Sequence, residues 1–241
     1  MTFDLLPKKM TRRSVLAIAA AVIGSELVAG CSSNSSGTPQ NFNALMNGML
    51  RRLTGGGSDG QKTPLKEAAR MFDNASPDQQ REAIAWLAKQ PYGHDPAYLE
   101  AYQIAAQAPS PLVRGQAMMA IGTSHDPKLA PTVARGLADT SAFVRMSAAI
   151  AACEIVSPIL IDPLIKDLSS DPDAQVRINA ARALGHYNTY RVQRALIYVL
   201  DDANVAVAQA AWNVLHKETG QNLPMRTGPW IKWLHQSRAP H

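Results

Sequence analysis

The sequence has few aromatic residues and fewer cysteines. Phe, Trp and Tyr make up 6% of its 241 residues, and there are only two cysteines, Cys31 and Cys153. Two cysteines exclude a disulfide framework. No Cys-x-x-Cys or His-Glu-x-x-His spacing marks a metal site. The six histidines, His94, His125, His186, His216, His235 and His241, never pair at i,i+3 or i,i+4. His125, His186 and His216 fall near the same edge of a repeating unit and read as turn residues. The one glycine-rich stretch, Gly55 to Gly60, lacks the spacing of a phosphate loop. Gln61 separates Gly60 from Lys62, and no apolar strand precedes it to aim the loop. No nucleophile elbow or phased pair of carboxylates is present. The sequence therefore predicts no catalytic residue, no cofactor and no metal. Neither sign of charge dominates: the net charge is +5, and Lys8, Lys9, Arg12 and Arg13 sit together near the N-terminus. The other basic residues are scattered and form no aromatic-basic platform, which argues against nucleic acid as a partner.

What is present is alanine at helical spacing, in repeats. Val113, Val144, Val176 and Val207 are 31, 32 and 31 residues apart, a near-constant period that marks stacked repeats. Apolar residues follow each valine at offsets 4, 7 and 8. They are Ala117, Ala120 and Ile121, then Ala148, Ala151 and Ala152, then Ala180, Ala183 and Leu184, and last Ala211, Val214 and Leu215. This spacing places them on one helix face. Alanine favours helix and lets neighbouring helices approach closely. A looser copy, Gln79, Ala83, Trp86 and Leu87, precedes them. Each of these helices follows another, marked by Val133 and Leu137, Leu164 and Leu168, or Leu196 and Leu200. Asp139, Asp171 and Asp202 stand in the turns, each five residues before a repeat valine. The pattern predicts an all-α fold, an α-solenoid of stacked helical hairpins.

These units resemble HEAT repeats, in the short form also found in phycobilisome lyases, over roughly residues 77–218. The resemblance implies a ladder in which Arg114, Arg145 and Arg177 pair with Asp139, Asp171 and Asp202. An exposed pair of this kind contributes on the order of 0.2–1 kcal/mol, so the ladder would set register more than stability. It also implies a concave groove lined by offsets 3 and 6 of the second helices: Gln116, Met119, Ser147, Ile150, Asn179, Arg182 and Asn213. Met119 and Ile150 beside polar neighbours suit contact with a protein partner, although both also suit burial by an adjacent helix. Cys153 reads as a small buried hydrophobe rather than a nucleophile. The lyase relatives use such a scaffold to attach cofactors, which keeps open an enzyme or accessory factor handling a small ligand in the groove. No motif transfers a catalytic residue. A third reading is a surface that binds anionic envelope polymers through the modest positive charge.

The N-terminus reads as an address and an anchor. Lys8 to Arg13 is basic, and Val15 to Ile23 is apolar but too short to span a bilayer. Val28-Ala29-Gly30-Cys31 then resembles the lipobox of bacterial lipoproteins, which implies cleavage before Cys31 and lipidation of that residue. Thr11 to Leu16 is similar to a twin-arginine export signal, or its arginines merely supply the basic charge. Ser32, where Asp is absent, favours the outer membrane by resemblance to Gram-negative sorting.

The expected organisation is a signal peptide at 1–30, a tether with a short amphipathic helix at 31–63, the solenoid at 64–218 and a capping segment at 219–241. The amphipathic stretch has Phe42, Leu45, Met46, Met49, Leu50 and Leu53 at helical spacing. It suits covering the open solenoid end, lying on the membrane surface or binding a partner. Trp230, Trp233 and Leu234 suit a helix that shields the last repeat. The function expected is a lipid-anchored, periplasm-facing scaffold that binds a protein through the groove.

Overall fold

The computed structural model describes residues 62, 64–72 and 76–237, and every regular element among them is a helix. Cys31, the tether and the amphipathic stretch at 41–53 lie outside the described residues. The chain divides into two compact units, one ending at Ala105 and one beginning at Ala106.

In the first unit, α1 (Pro64–Arg70) packs on α2 (Pro77–Ala88), and α3 (Pro96–Ala105) follows. Proline opens each helix, where its missing N–H costs nothing. The Ser76 hydroxyl accepts from the Asp78 N–H at 3.3 Å, as an N-cap does. The buried face of α2 is Ala83, Ile84 and Leu87. Gln79, expected as the anchor of a degenerate repeat, is exposed and Trp86 is half-buried. The correction has a simple cause: Ile84 offers the apolar surface that the Gln79 amide cannot bury cheaply.

The second unit contains α4 (Pro111–Gly122), α5 (Ala130–Leu137), α6 (Ala142–Glu154), α7 (Ile161–Ser170), α8 (Ala174–Leu184), α9 (Tyr190–Tyr198), α10 (Val205–Thr219) and α11 (Thr227–Gln236). It is an α-solenoid of two layers. The hairpins are α5 with α6, α7 with α8, and α9 with α10. The second helices stack as α4, α6, α8, α10, each packed on the next. The repeat positions at offsets 0, 4, 7 and 8 are buried in every copy except Val214, which is half-buried in the last.

Small residues set how closely the helices approach, α6 on α4 at Gly122 and α5 on α4 at Gly136. A Cβ on Gly122 would lie 2.9 Å from the Ala151 Cα, and one on Gly136 would lie 2.7 Å from the Met118 sulfur. Both glycines therefore exist for space, not for unusual backbone angles. Gly220 is the contrasting case: its φ of 69° ends α10 in the left-handed conformation.

Asp126-Pro127 and Ser157-Pro158 each open a short 3-10 turn, Pro127–Leu129 and Pro158–Leu160, before α5 and α7 begin. The second prolines explain this. Pro131 and Pro163 have no N–H to return to the residue four back, so the first turn closes three residues apart.

Candidate protein-binding face

Each Arg–Asp pair forms a rung between consecutive turns. Arg114 Nε and Nη2 donate to Asp139 Oδ2 and Oδ1, both at 2.8 Å. Arg145 meets Asp171 in the same way at 2.6 and 3.0 Å, and Arg177 meets Asp202 at 3.0 Å twice. The remaining Nη1 of each arginine holds its own turn. In Arg145 it donates to the Asp139 and Thr140 carbonyls at 2.9 and 3.1 Å. Each aspartate also accepts the N–H two residues on, from Ser141, Asp173 and Asn204. A rung thus ties two turns and orders both.

These side chains are not the exposed pairs that the sequence suggested. The Asp171 side chain is 3% exposed and that of Arg145 14%. The Arg114 hydrogen bond holds the Asp139 carboxyl below its ordinary value, although burial opposes it. At Asp171 and Asp202 burial pushes upward most strongly, yet hydrogen bonds from Arg145 and Arg177 and from backbone N–H groups leave both lowered.

Asp167, one helical turn before Asp171, behaves oppositely. It is buried, its Oδ2 has no partner, and burial followed by the charge of Asp171 pushes its pKa up to about 7. Arg145 pulls the other way but is committed to Asp171.

On the opposite edge, the Ser157 N–H donates to the Tyr187 hydroxyl at 3.0 Å, and that hydroxyl donates to the Ser157 carbonyl at 2.9 Å. This stitch between the α6–α7 and α8–α9 connections occurs once. Nothing periodic announces it.

The residues expected to line the groove divide. Met119, Arg182 and Asn213 are exposed, and Gln116 and Ile150 are half-buried. Ser147 and Asn179 are buried and offer a partner nothing, which corrects their assignment to a contact surface. The Ser147 hydroxyl donates to the Phe143 carbonyl, and the Asn179 amide donates to the Gln175 carbonyl. Each is a short side chain flanked along its helix face by longer ones, Phe143 and Ile150 or Gln175 and Arg182.

The residue just before each repeat valine was missed. Leu112 and Phe143 occupy it in α4 and α6 and are 43% and 39% exposed. The Phe143 ring lies where a Cβ on Gly115 would stand, so it bridges α4 and α6 across their exposed face. With Met119 these side chains make that end of the face apolar. At the other end, Arg182 of α8 and Gln209, Asn213 and Lys217 of α10 border an open cleft of about 490 Å³. Ala206, Ala210 and Val214 complete its lining.

Cys153 is half-buried, lies 3.5 Å from the Ala149 carbonyl oxygen, and has its thiol pushed up to about 11, chiefly by burial. Such a thiol stays protonated and is a poor nucleophile. His125 and His216, read as turn residues, face different groups. His125 Nδ1 is 3.3 Å from a Glu154 carboxylate oxygen, while His216 stacks on Trp212 and its Nδ1 lies 2.9 Å from the Gln221 carbonyl. His186 is exposed. Among the described residues, no three metal-ligating side chains converge.

A family model for HEAT repeats matches residues 64–154 and 161–223, more than half of the chain. The chain belongs to the HEAT-repeat family. The match reaches past both ends of the span of roughly 77–218 over which the sequence resembles HEAT repeats. No curated protein matches the chain. Among solved structures, Escherichia coli YibA is similar, with 18% identity, a TM-score of 0.54 and coverage of 78% of both chains. That likeness speaks to the HEAT-repeat fold alone. A structure from work on TOG–tubulin binding specificity covers 93% of this chain and 97% of that one, with 12% identity and a TM-score of 0.39. It is too loose a likeness to bear on partners.

Proposed function

We propose that this HEAT-repeat chain is a lipid-anchored envelope scaffold that docks a partner protein on the exposed face of α4, α6, α8 and α10. The observation that carries the reading is the apolar surface left open on that face by Leu112, Met119 and Phe143. Three large apolar side chains on one face are the kind of surface that a protein interface buries. In this reading residues 1–30 are a cleaved leader, Cys31 carries lipid, and 31–63 tether residues 64–218 to a membrane facing the periplasm. The outer membrane is the favoured site. The segment 219–241 closes the last repeat: Trp230 is buried with its indole N–H donating to the Pro224 carbonyl, and Trp212 donates to the Leu223 carbonyl.

A lyase-type activity has less support. The cleft is open rather than deep, Cys153 is not among the residues lining it, and burial pushes that thiol up to about 11.

The test is photo-crosslinking in the native envelope from a benzoyl-phenylalanine placed at Met119, with one at Lys128 as the control. One partner captured from position 119 and not from 128 is expected. Identical capture from both positions would end the docking reading. Incorporation of an alkyne-palmitate into the chain, lost in Cys31→Ala, tests the anchor separately.

A further inference from the structure

We infer that the cleft between α8 and α10 receives an acidic peptide segment of the docked partner, seating its carboxylates on Arg182 and Lys217 and its backbone on Gln209 and Asn213. The inference rests on the docking reading above and names the chemistry of what is docked.

Charge is the first observation. The arginines of the ladder, Arg114, Arg145 and Arg177, are each bound to an aspartate. Arg182 is not. Its one side-chain hydrogen bond among the described residues is a 3.3 Å contact from Nη1 to the neutral Asn179 amide oxygen, and the side chain is exposed. Lys217, exposed at the other side of the cleft, likewise has no carboxylate partner among the described residues. The cleft lining contains no acidic residue. Two cations facing one recess without counter-charge complement an anionic guest, and the guanidinium fork suits a carboxylate.

The amides select a peptide over a simple anion. Gln209 Nε2 donates to Asn213 Oδ1 at 2.9 Å. That bond orients both groups and leaves the Asn213 amide as a donor and the Gln209 oxygen as an acceptor. A peptide backbone presents one acceptor and one donor per residue, which such a pair can meet together. Ala206 and Ala210 keep the floor low enough for a backbone to lie close, and Val214 gives it an apolar patch. The volume of about 490 Å³ accommodates a few residues rather than a domain. The same layer of helices carries the apolar end at Phe143 and Met119. The guest is therefore a segment with both carboxylates and large apolar side chains.

The experiment is fluorescence anisotropy on the full-length chain with three labelled peptides of about twelve residues: leucine with glutamate, leucine with glutamine, and leucine with lysine. The glutamate peptide should bind about tenfold tighter than the glutamine peptide, and the lysine peptide more weakly than either. The double variant Arg182→Glu, Lys217→Glu should lose about tenfold in affinity for the glutamate peptide, while Lys89→Glu, Lys128→Glu, the same change of charge at exposed lysines elsewhere, should lose little. Thermal melts accompany each variant. If charge reversal lowers the melt, Arg182→Gln, Lys217→Gln replaces it, with a smaller loss of the same sign. Equal affinity for glutamate and glutamine peptides overturns the inference, as does equal loss in the cleft and control variants. Dextran sulfate binding tighter than the glutamate peptide, and displacing it, would assign the cleft to a polyanion and also overturn it. Crosslinking from position 119 that persists while the peptides fail separates this failure from that of the docking reading.

Discussion

The turn edge and the exposed helix face of this molecule follow different rules. Along the edge, the same arrangement recurs three times: an arginine forks onto an aspartate of the next turn, and that aspartate orders its own turn. Along the face, residues change from repeat to repeat, from Leu112, Met119 and Phe143 at one end to Arg182, Asn213 and Lys217 at the other. Where one repeat meets the next, the chemistry must repeat, because each unit is the other's template. Where a repeat meets solvent, nothing internal fixes the side chain, and differences there are free to serve a partner.

The sharpest way to break the contrast is to remove a rung. Arg145→Ala leaves the nearly buried Asp171 carboxylate without its cation and frees two turn carbonyls. A loss of about 2–4 kcal/mol in urea unfolding is expected. A loss under about 0.5 kcal/mol would mean that the rung only sets register, as the sequence alone had suggested.

Gly122→Val tests the spacing between stacked second helices. Its Cβ would stand 2.9 Å from the Ala151 backbone, so α4 and α6 must part, at a cost of about 1–3 kcal/mol. Differential scanning calorimetry reads this as a lower Tm.

Asp167 and Asp171 sharpen the comparison within the edge itself. Asp171, held below its ordinary value, contributes stability that is present above about pH 4 and lost as acid protonates it. Asp167 has the opposite sign. Its folded form keeps a proton up to about pH 7 against an ordinary 3.8, so its contribution is full below about 4 and is lost as pH rises through about 7. Asp167→Asn should therefore leave stability near pH 4 almost unchanged and raise it at pH 8, by roughly 2–4 kcal/mol. Unfolding curves at the two pH values check this; equal effects at both would place the Asp167 titration elsewhere.

The smallest effect on folding is expected on the exposed face. Met119→Glu should shift stability by less than about 0.5 kcal/mol while abolishing capture of the partner by a benzoyl-phenylalanine placed at the neighbouring exposed Leu112. A large loss of stability would show Met119 to be core after all.

The edge was legible in the sequence and the face was not, for one physical reason. Val144, Ala148, Ala151 and Ala152 pack against copies of themselves, so period and offset sufficed to mark them as buried. The aspartates were found five residues ahead of each valine by the same period. Their burial was not, because it depends on the backbone carbonyls that the arginines also grip. Ser147 and Asn179 read as surface by helical angle alone, yet longer neighbours on their own helices cover them. Leu112 and Phe143 escaped notice because they sit in the first turn. Whether that turn is covered depends on the preceding loop, which carries no periodic signal. Tyr187 and Ser157 meet only once, so no repetition marked them.

Each rung spans 25 or 26 residues of sequence, so every unit carries one half of two connectors. A duplicate of residues 142–173, spliced in after Asp173, would find a matching connector on both sides and lengthen the array by one module. The copy beginning at Val207 has Ala208 where the others have arginine, so it carries no plug for a further module, and the series ends there in its own chemistry.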